Sequence, residues 1–121
     1  MLFVKTRLEK SPVHGIGLFA DQRVAKGSLV YKMSSNLDVD ISDADFQKLD
    51  VFSQKQIRHY GYFNDGTWHL AFDDIRFCNH ADVGNITVDA GAPEYRLVAV
   101  RDIEAGEELL QDYGEFEQGR P

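Results

Sequence analysis

The sequence has one cysteine, Cys78, among 121 residues. That excludes an intramolecular disulfide and any zinc centre built from several thiolates. Its four histidines, His14, His59, His69 and His80, have no metal-ligand spacing, so no metal is expected. No apolar run approaches the roughly 18 residues that a membrane span needs. The first residues, Met1 to Lys5, lack the basic segment followed by a long apolar stretch that marks a secretory signal. Positive charge is also scarce: 13 Lys and Arg face 20 Asp and Glu, a net charge of −7. Such a balance argues against a surface that tracks nucleic-acid phosphates. It suits either plain solubility or a basic peptide partner. The expectation is a soluble intracellular protein, cytoplasmic, or nuclear if the source is a eukaryote.

What is present is ordinary for a globular chain, with 43% apolar and 27% charged residues. At this length one core is expected, burying roughly two-thirds of the unfolded surface. The alternation Leu2, Val4, Thr6, Leu8 predicts a half-buried strand ended by Lys10-Ser11-Pro12. A glycine-rich loop follows, then a turn at Val24–Gly27, a strand over Ser28–Met33, and an acidic surface connection from Ser34 to Asp40. Ser42 caps a short helix carrying Phe46 and Leu49, and Ser53 caps another through Gln56, Ile57 and Tyr60. Asn64-Asp65-Gly66 is a turn signal, with strands expected at 68–72, 85–89, 95–101 and 108–112 and a last turn at Glu104-Ala105-Gly106. The class is α+β, mostly β, with a short helical insertion.

Three short segments carry the polar chemistry. In His14-Gly15-Ile16-Gly17-Leu18-Phe19-Ala20, two glycines one residue apart let the backbone bend and approach a ligand. The same residues fit a G-x-G-x-x-A dinucleotide fingerprint, with Asp38 at the spacing of a ribose-binding acid. That reading needs a strand running into the first glycine and a crossover helix after it. Ser11-Pro12 interrupts the one and Gly27 crowds out the other. In Arg76-Phe77-Cys78-Asn79-His80-Ala81, adjacent Asn and His behind Ile75 and Phe77 demand hydrogen-bond partners, whether a ligand or a structural network. Cys78 and His80 also invite a thiol-nucleophile reading, but they are two apart on an extended segment with no third orienting group. The third segment, Gly106-Glu107-Glu108-Leu109-Leu110-Gln111-Asp112-Tyr113-Gly114, is a turn and a strand ending in a tyrosine, which can be core or a hydrogen-bonding tip.

In this order and spacing the segments resemble the motifs of the SET-domain protein-lysine methyltransferases: G-x-G, then R-F-x-N-H, then G-E-E-L ending in Y-G. The resemblance covers Leu2 to Gly114 of a single domain over 1–121, with a short tail at 115–121. It implies small curved β-sheets with a knot-like crossing near the C-terminus, an exception to the rule against threaded chains. It also implies S-adenosylmethionine as cofactor and a lysine of a basic protein, histone or histone-like, as methyl acceptor. His14, Gly15, Ile16 and Gly17 match the positions that hold the cofactor's methionine end. Asn79 and His80 match those at its amino group and adenine, Phe77 matches a further cofactor-binding position, and Tyr113 matches the catalytic tyrosine and is expected to bind the cofactor as well. Tyr60, Tyr62, Trp68 and Gln111 are candidates for the substrate channel. Ala81 stands where the family has Ser, Gly84 where it has Pro, and Gln111 where Phe or Tyr influences how many methyls are added. The alternative is a catalytically silent module of the same fold that binds protein or cofactor. Phe116 is the local candidate to close the cofactor site, and a homodimer stays open.

Overall fold

The computed structural model describes residues 1–121 as four small sheets and two short helices. Strands β1 (Thr6–Lys10) and β2 (Ile16–Ala20) form an antiparallel hairpin. β3 (Leu29–Lys32), β9 (Arg96–Ala99) and β8 (Ile86–Val88) form a second sheet with β9 in the middle. β4 (Val39–Ser42), β6 (Thr67–Leu70) and β5 (Tyr62–Asn64) form the third. β7 (Asn79–His80) and β10 (Leu110–Gln111) run parallel as a two-residue ladder. Helices α1 (Asp43–Phe46) and α2 (Val51–Tyr60) sit between β4 and β5. No helix is long and apolar enough to cross a membrane.

Local chemistry accounts for most of these boundaries. The β5–β6 hairpin turns on Asp65 and Gly66, both with positive φ (50° and 71°), the conformation of a two-residue turn that matches strand twist. Ser42 caps α1, its side chain accepting from the Asp45 amide. The cap of α2 is Asp50 rather than the expected Ser53: Asp50 Oδ1 accepts from the Ser53 amide at 2.9 Å, and Ser53 Oγ donates to Asp50 Oδ2 at 2.7 Å. A carboxylate at the positive end of a helix is stabilising, and the serine one turn in serves it. Leu49 lies past the end of the single-turn α1 and is partly exposed.

The segment expected to be a glycine loop enters a strand at once. In β2 every residue from Gly17 to Ala20 is buried, so the strand reads as an apolar run without alternation. Gly15 and Gly17 therefore lead into a strand instead of a helix, which removes the dinucleotide reading. Asp38, its would-be ribose acid, accepts from the Tyr31 hydroxyl and the amides of Ser34 and Phe72. The supposed surface connection also contains the start of β4.

Two cores result. The larger joins Leu18, Val24, Val30, Leu97, Ile103 and Leu109 with their neighbours across the first two sheets. The smaller packs Phe46, Ile57, Phe63 and Trp68 between the helices and the third sheet. The C-terminal strand follows Leu109 of the larger core and is held by β7 and by Asn85. Asn85 gives its amide to Leu110 O (3.0 Å), takes the Leu110 amide on Oδ1 (2.8 Å) and donates Nδ2 to Glu108 O (2.8 Å). The 79–85 segment thus curls around residues 108–111. A Cβ on Gly84 would stand 2.4 Å from Leu110 O, so the curl as it runs in this chain leaves no room for one.

Candidate active site

The crossing brings the three sequence segments to one junction. Asn79, buried on β7, donates Nδ2 to the His14 carbonyl (2.9 Å) and to Glu108 Oε2 (3.0 Å). Ser11 Oγ lies 2.8 Å from both Glu108 oxygens and accepts from the Val13 amide. A Cβ on Gly17 would meet Glu108 Oε2 at 2.4 Å, so a larger residue there displaces that carboxylate. One carboxylate therefore ties the glycine turn to the Asn-His strand, and no Lys or Arg pairs with it. Gly15, with φ at 48°, needs its missing Cβ for the left-handed bend and faces open space.

His80 is partly exposed. Its Nδ1 accepts from the Tyr113 amide at 3.1 Å, which leaves Nε2 to donate to Asp82 Oδ1 at 3.0 Å. These contacts set the imidazole tautomer. Its ring lies 5.2 Å from that of Tyr113. The Tyr113 hydroxyl donates to the carbonyl oxygen of Cys78. Burial, with the nearby Cys78 and Glu117, pushes that phenol up to about 12, so it stays protonated at neutral pH. Ala81 keeps the β7–β10 ladder going through its backbone, its amide donating to Gln111 O at 3.1 Å, so the hydroxyl missing here is not needed for the strand pairing.

Tyr113 also borders a cavity of about 290 Å³. Its apolar walls include Tyr31, Tyr60, Tyr62, Tyr95 and Phe116, and Gln111 lines it too. The volume is at the lower edge of small-molecule pockets, about 300–1,000 Å³, which suits one extended side chain. Phe116 packs edge-on against Tyr62, Tyr95 and Tyr113 at 4.9 to 6.2 Å, so the tail forms part of the wall. Burial, with Asp40 and Asp38 nearby, raises the Tyr62 phenol to about 12, and burial first of all pushes Tyr31 and Tyr95 up as well, the mark of a desolvated space.

Of the expected channel residues, Tyr60, Tyr62 and Gln111 line this cavity and Trp68 does not. Trp68 is fully buried in the smaller core, stacked on Phe46 at 4.6 Å with Nε1 donating to Asp43. On β6 it points to the face opposite His69, and that face is the core. Phe77 turns its ring to Tyr60 at 5.6 Å, supporting the wall from behind. Cys78 is buried with its thiol pushed up to about 12, so no thiolate forms and the nucleophile reading fails. Sequence reasoning did not single out Ser11, Glu108 or Tyr95. Glu108 had a signal, as the second acid of the Gly-Glu-Glu-Leu segment, but its partners lie 29 and 97 residues away.

A family model described as the SET domain matches residues 15–114. The chain belongs to the SET-domain family. A curated relative, N-lysine methyltransferase KMT5A-A of Danio rerio, is 34% identical over 114 residues, covering 84% of this chain and 33% of the relative. The chain thus spans about a third of that protein's length. Among solved structures, Chaetomium thermophilum Polycomb Repressive Complex 2 bound to GSK126 aligns with TM-score 0.71 and 26% identity, over 93% of this chain and 16% of that one. The same complex in an autoinhibited conformation bound to S-adenosylmethionine aligns with TM-score 0.70 and 26% identity, over 95% and 16%. A Plasmodium falciparum chain aligns with TM-score 0.67 over 92% of this chain and 94% of its own, at 20% identity, which bears on fold alone. The mostly β SET fold that the motifs implied is the fold observed.

Proposed function

We propose that this chain transfers a methyl group from S-adenosylmethionine to the side-chain amine of a lysine in a protein substrate. One observation carries the reading: three motifs far apart in sequence meet at a single junction, and Tyr113 joins that junction to a narrow aromatic cavity. The relatives support it, one being an N-lysine methyltransferase by name and another a complex described as bound to S-adenosylmethionine.

The junction fits such a cofactor. The cofactor carries positive charge at sulfur and at its amino group, and Glu108 is a carboxylate without a cationic partner, aided by the His14 carbonyl. In this reading His14, Gly15, Ile16 and Gly17 hold the methionine end, and Asn79 and His80 hold the amino group and adenine. Phe77 acts through Tyr60. When bound, the cofactor supplies a methyl already activated by its sulfonium.

The chain's own task is then alignment and desolvation. A lysine amine has an ordinary pKa of about 10.4, so it arrives protonated. The same burial that raises the tyrosine phenols favours its neutral form, with the proton lost to water at the mouth. Tyr113 gives its hydroxyl hydrogen to Cys78 O and so keeps oxygen lone pairs to accept an N–H from the amine. It orients the nucleophile and does not remove its proton. The Cys78 carbonyl and the tyrosine oxygen offer weak C–H···O contacts to the methyl.

Calorimetric titration with S-adenosylmethionine and S-adenosylhomocysteine, followed by transfer of labelled methyl to lysine peptides, tests the reading. Saturable binding weakened by Asn79→Ala is expected. A folded chain that binds neither compound, with peptide present or absent, would rule it out.

A further inference from the structure

The chain is acidic overall, with a net charge of −7, yet the charged residues lining the aromatic cavity are three arginines, Arg58, Arg76 and Arg120, against one carboxylate, Glu117. Arg120 pairs with Glu117 and also donates to the Arg58 and Gly61 carbonyls. Arg58 lies over the Phe46 and Trp68 rings, about 5.2 Å from each centroid, and donates to Pro121 O. Arg76 is exposed, makes no ion pair, and lies over the Tyr60 ring at 5.5 Å. Asp38, Asp40 and Asp73 lie close enough to act on Tyr31 and Tyr62, and Glu115 on Tyr95, but none of the four lines the cavity. The three aspartates are engaged by the Tyr31 hydroxyl, by His69, and by the Leu2 and Ile75 amides.

From this charge pattern we infer that the lysine presented to the cavity is flanked by acidic residues in its own chain, whatever the net charge of the protein that carries it. The inference rests on the methyl-transfer reading and narrows its substrate. A peptide placing its lysine among the tyrosines must bring neighbouring residues to the cavity's rim. Glutamates or aspartates there meet Arg76 and the Arg58–Arg120 pair, whereas arginines or lysines meet like charge. Arg76 is the contact with no carboxylate of its own, held only over the Tyr60 and Phe77 rings. Arg58 and Arg120 already hold the tail, so they add field more than new hydrogen bonds.

The test uses two fluorescent peptides identical except that the two residues on each side of a single lysine are Glu in one and Arg in the other. Their binding to the chain saturated with S-adenosylhomocysteine is read by anisotropy, which needs no turnover. The Glu-flanked peptide is expected to bind about tenfold more tightly at low salt, with the gap shrinking as ionic strength rises beyond the Debye regime. Arg76→Glu is expected to narrow or invert the gap while leaving the chain folded and able to bind S-adenosylhomocysteine. Equal affinity, tighter binding of the Arg-flanked peptide, or no binding of either overturns the inference. A chain that still binds the cofactor in those cases keeps the methyl-transfer reading intact, whereas loss of cofactor binding removes both.

Discussion

The side-chain amide of Gln111 donates to the Tyr95 hydroxyl at 2.9 Å, across the cavity wall and almost wholly out of solvent. Its one N–H···O bond gives the buried Tyr95 hydroxyl a partner. Gln111→Leu is expected to cost about 1–3 kcal/mol by leaving that hydroxyl short of a partner, seen as a lower midpoint in urea unfolding. Gln111 also brings a polar amide to the wall beside Tyr113, so Gln111→Phe, which removes that amide, is expected to change the ratio of mono- to higher-methylated lysine. Mass spectrometry of the product peptide reads this, and an unchanged ratio removes Gln111 from any role in setting it.

Gly84 is where the family motif has proline, and the fold explains why a small residue serves. An alanine Cβ would sit 2.4 Å from Leu110 O and 2.9 Å from Gln111 Cα, both backbone atoms that cannot swing aside. Gly84→Ala is therefore expected to destabilise by about 2 kcal/mol or more and to loosen the β7–β10 ladder. Gly17→Ala differs in kind, because the nearest atoms belong to Glu108. It should shift that carboxylate off Ser11 and Asn79, lowering cofactor affinity more than stability. Calorimetry and urea titration on the two variants separate these outcomes.

The sequence exposed what depends on neighbours in the chain. The Asp65-Gly66 turn, the Ser42 cap and the strands around Leu97 and Leu110 follow from local pattern and turn chemistry. The motifs could be paired with a family because their residues are contiguous. Hidden was whatever depends on long-range closure. β2 lacks alternation because sheet and core bury both its faces, and the two-residue β7 is too short for any periodicity. Trp68 and Tyr62 lie on paired strands of one hairpin, and only the packing of α1 and α2 decides which of them meets a cavity and which a core. Glu108 looked like one acid in an acidic chain until Ser11 and Asn79 closed on it.

Alkaline pH should unfold the chain earlier than an average surface composition implies. The phenols of Tyr62 and Tyr113 rise from 10.0 to about 12, and the Cys78 thiol from 9.0 to about 12, each chiefly by burial. A raised pKa means the folded state holds its proton more tightly. The stability it confers is whole below the unfolded pKa and is lost as pH climbs through the folded one. Urea midpoints are expected to be insensitive to these groups up to about pH 8.5, then to fall between about pH 9 and 12. Cys78→Ser, with a hydroxyl that does not ionise in this range, should delay the onset. An unchanged onset would mean the thiol is not coupled to unfolding.

Tyr113→Phe separates alignment from binding. The ring's edge contacts with Phe116 and its approach to His80 need no hydroxyl, and the Tyr113 amide bond to His80 belongs to the backbone. The variant should fold and bind S-adenosylmethionine with near-normal affinity. It loses the oxygen that fixes the amine and the hydrogen bond to Cys78 O, so turnover is expected to fall by about 10²-fold or more, the scale of an ångström-level misplacement. The pH profile of the unmodified chain adds an independent reading. If the rate is limited by the fraction of neutral lysine, it climbs with pH through the range of that amine, without a falling limb near 10 from an ordinary tyrosine, since this phenol ionises only near 12. A falling limb at about pH 10 that vanishes in Tyr113→Phe would instead make the protonated phenol essential at an ordinary pKa, and the desolvated environment described for it would be wrong.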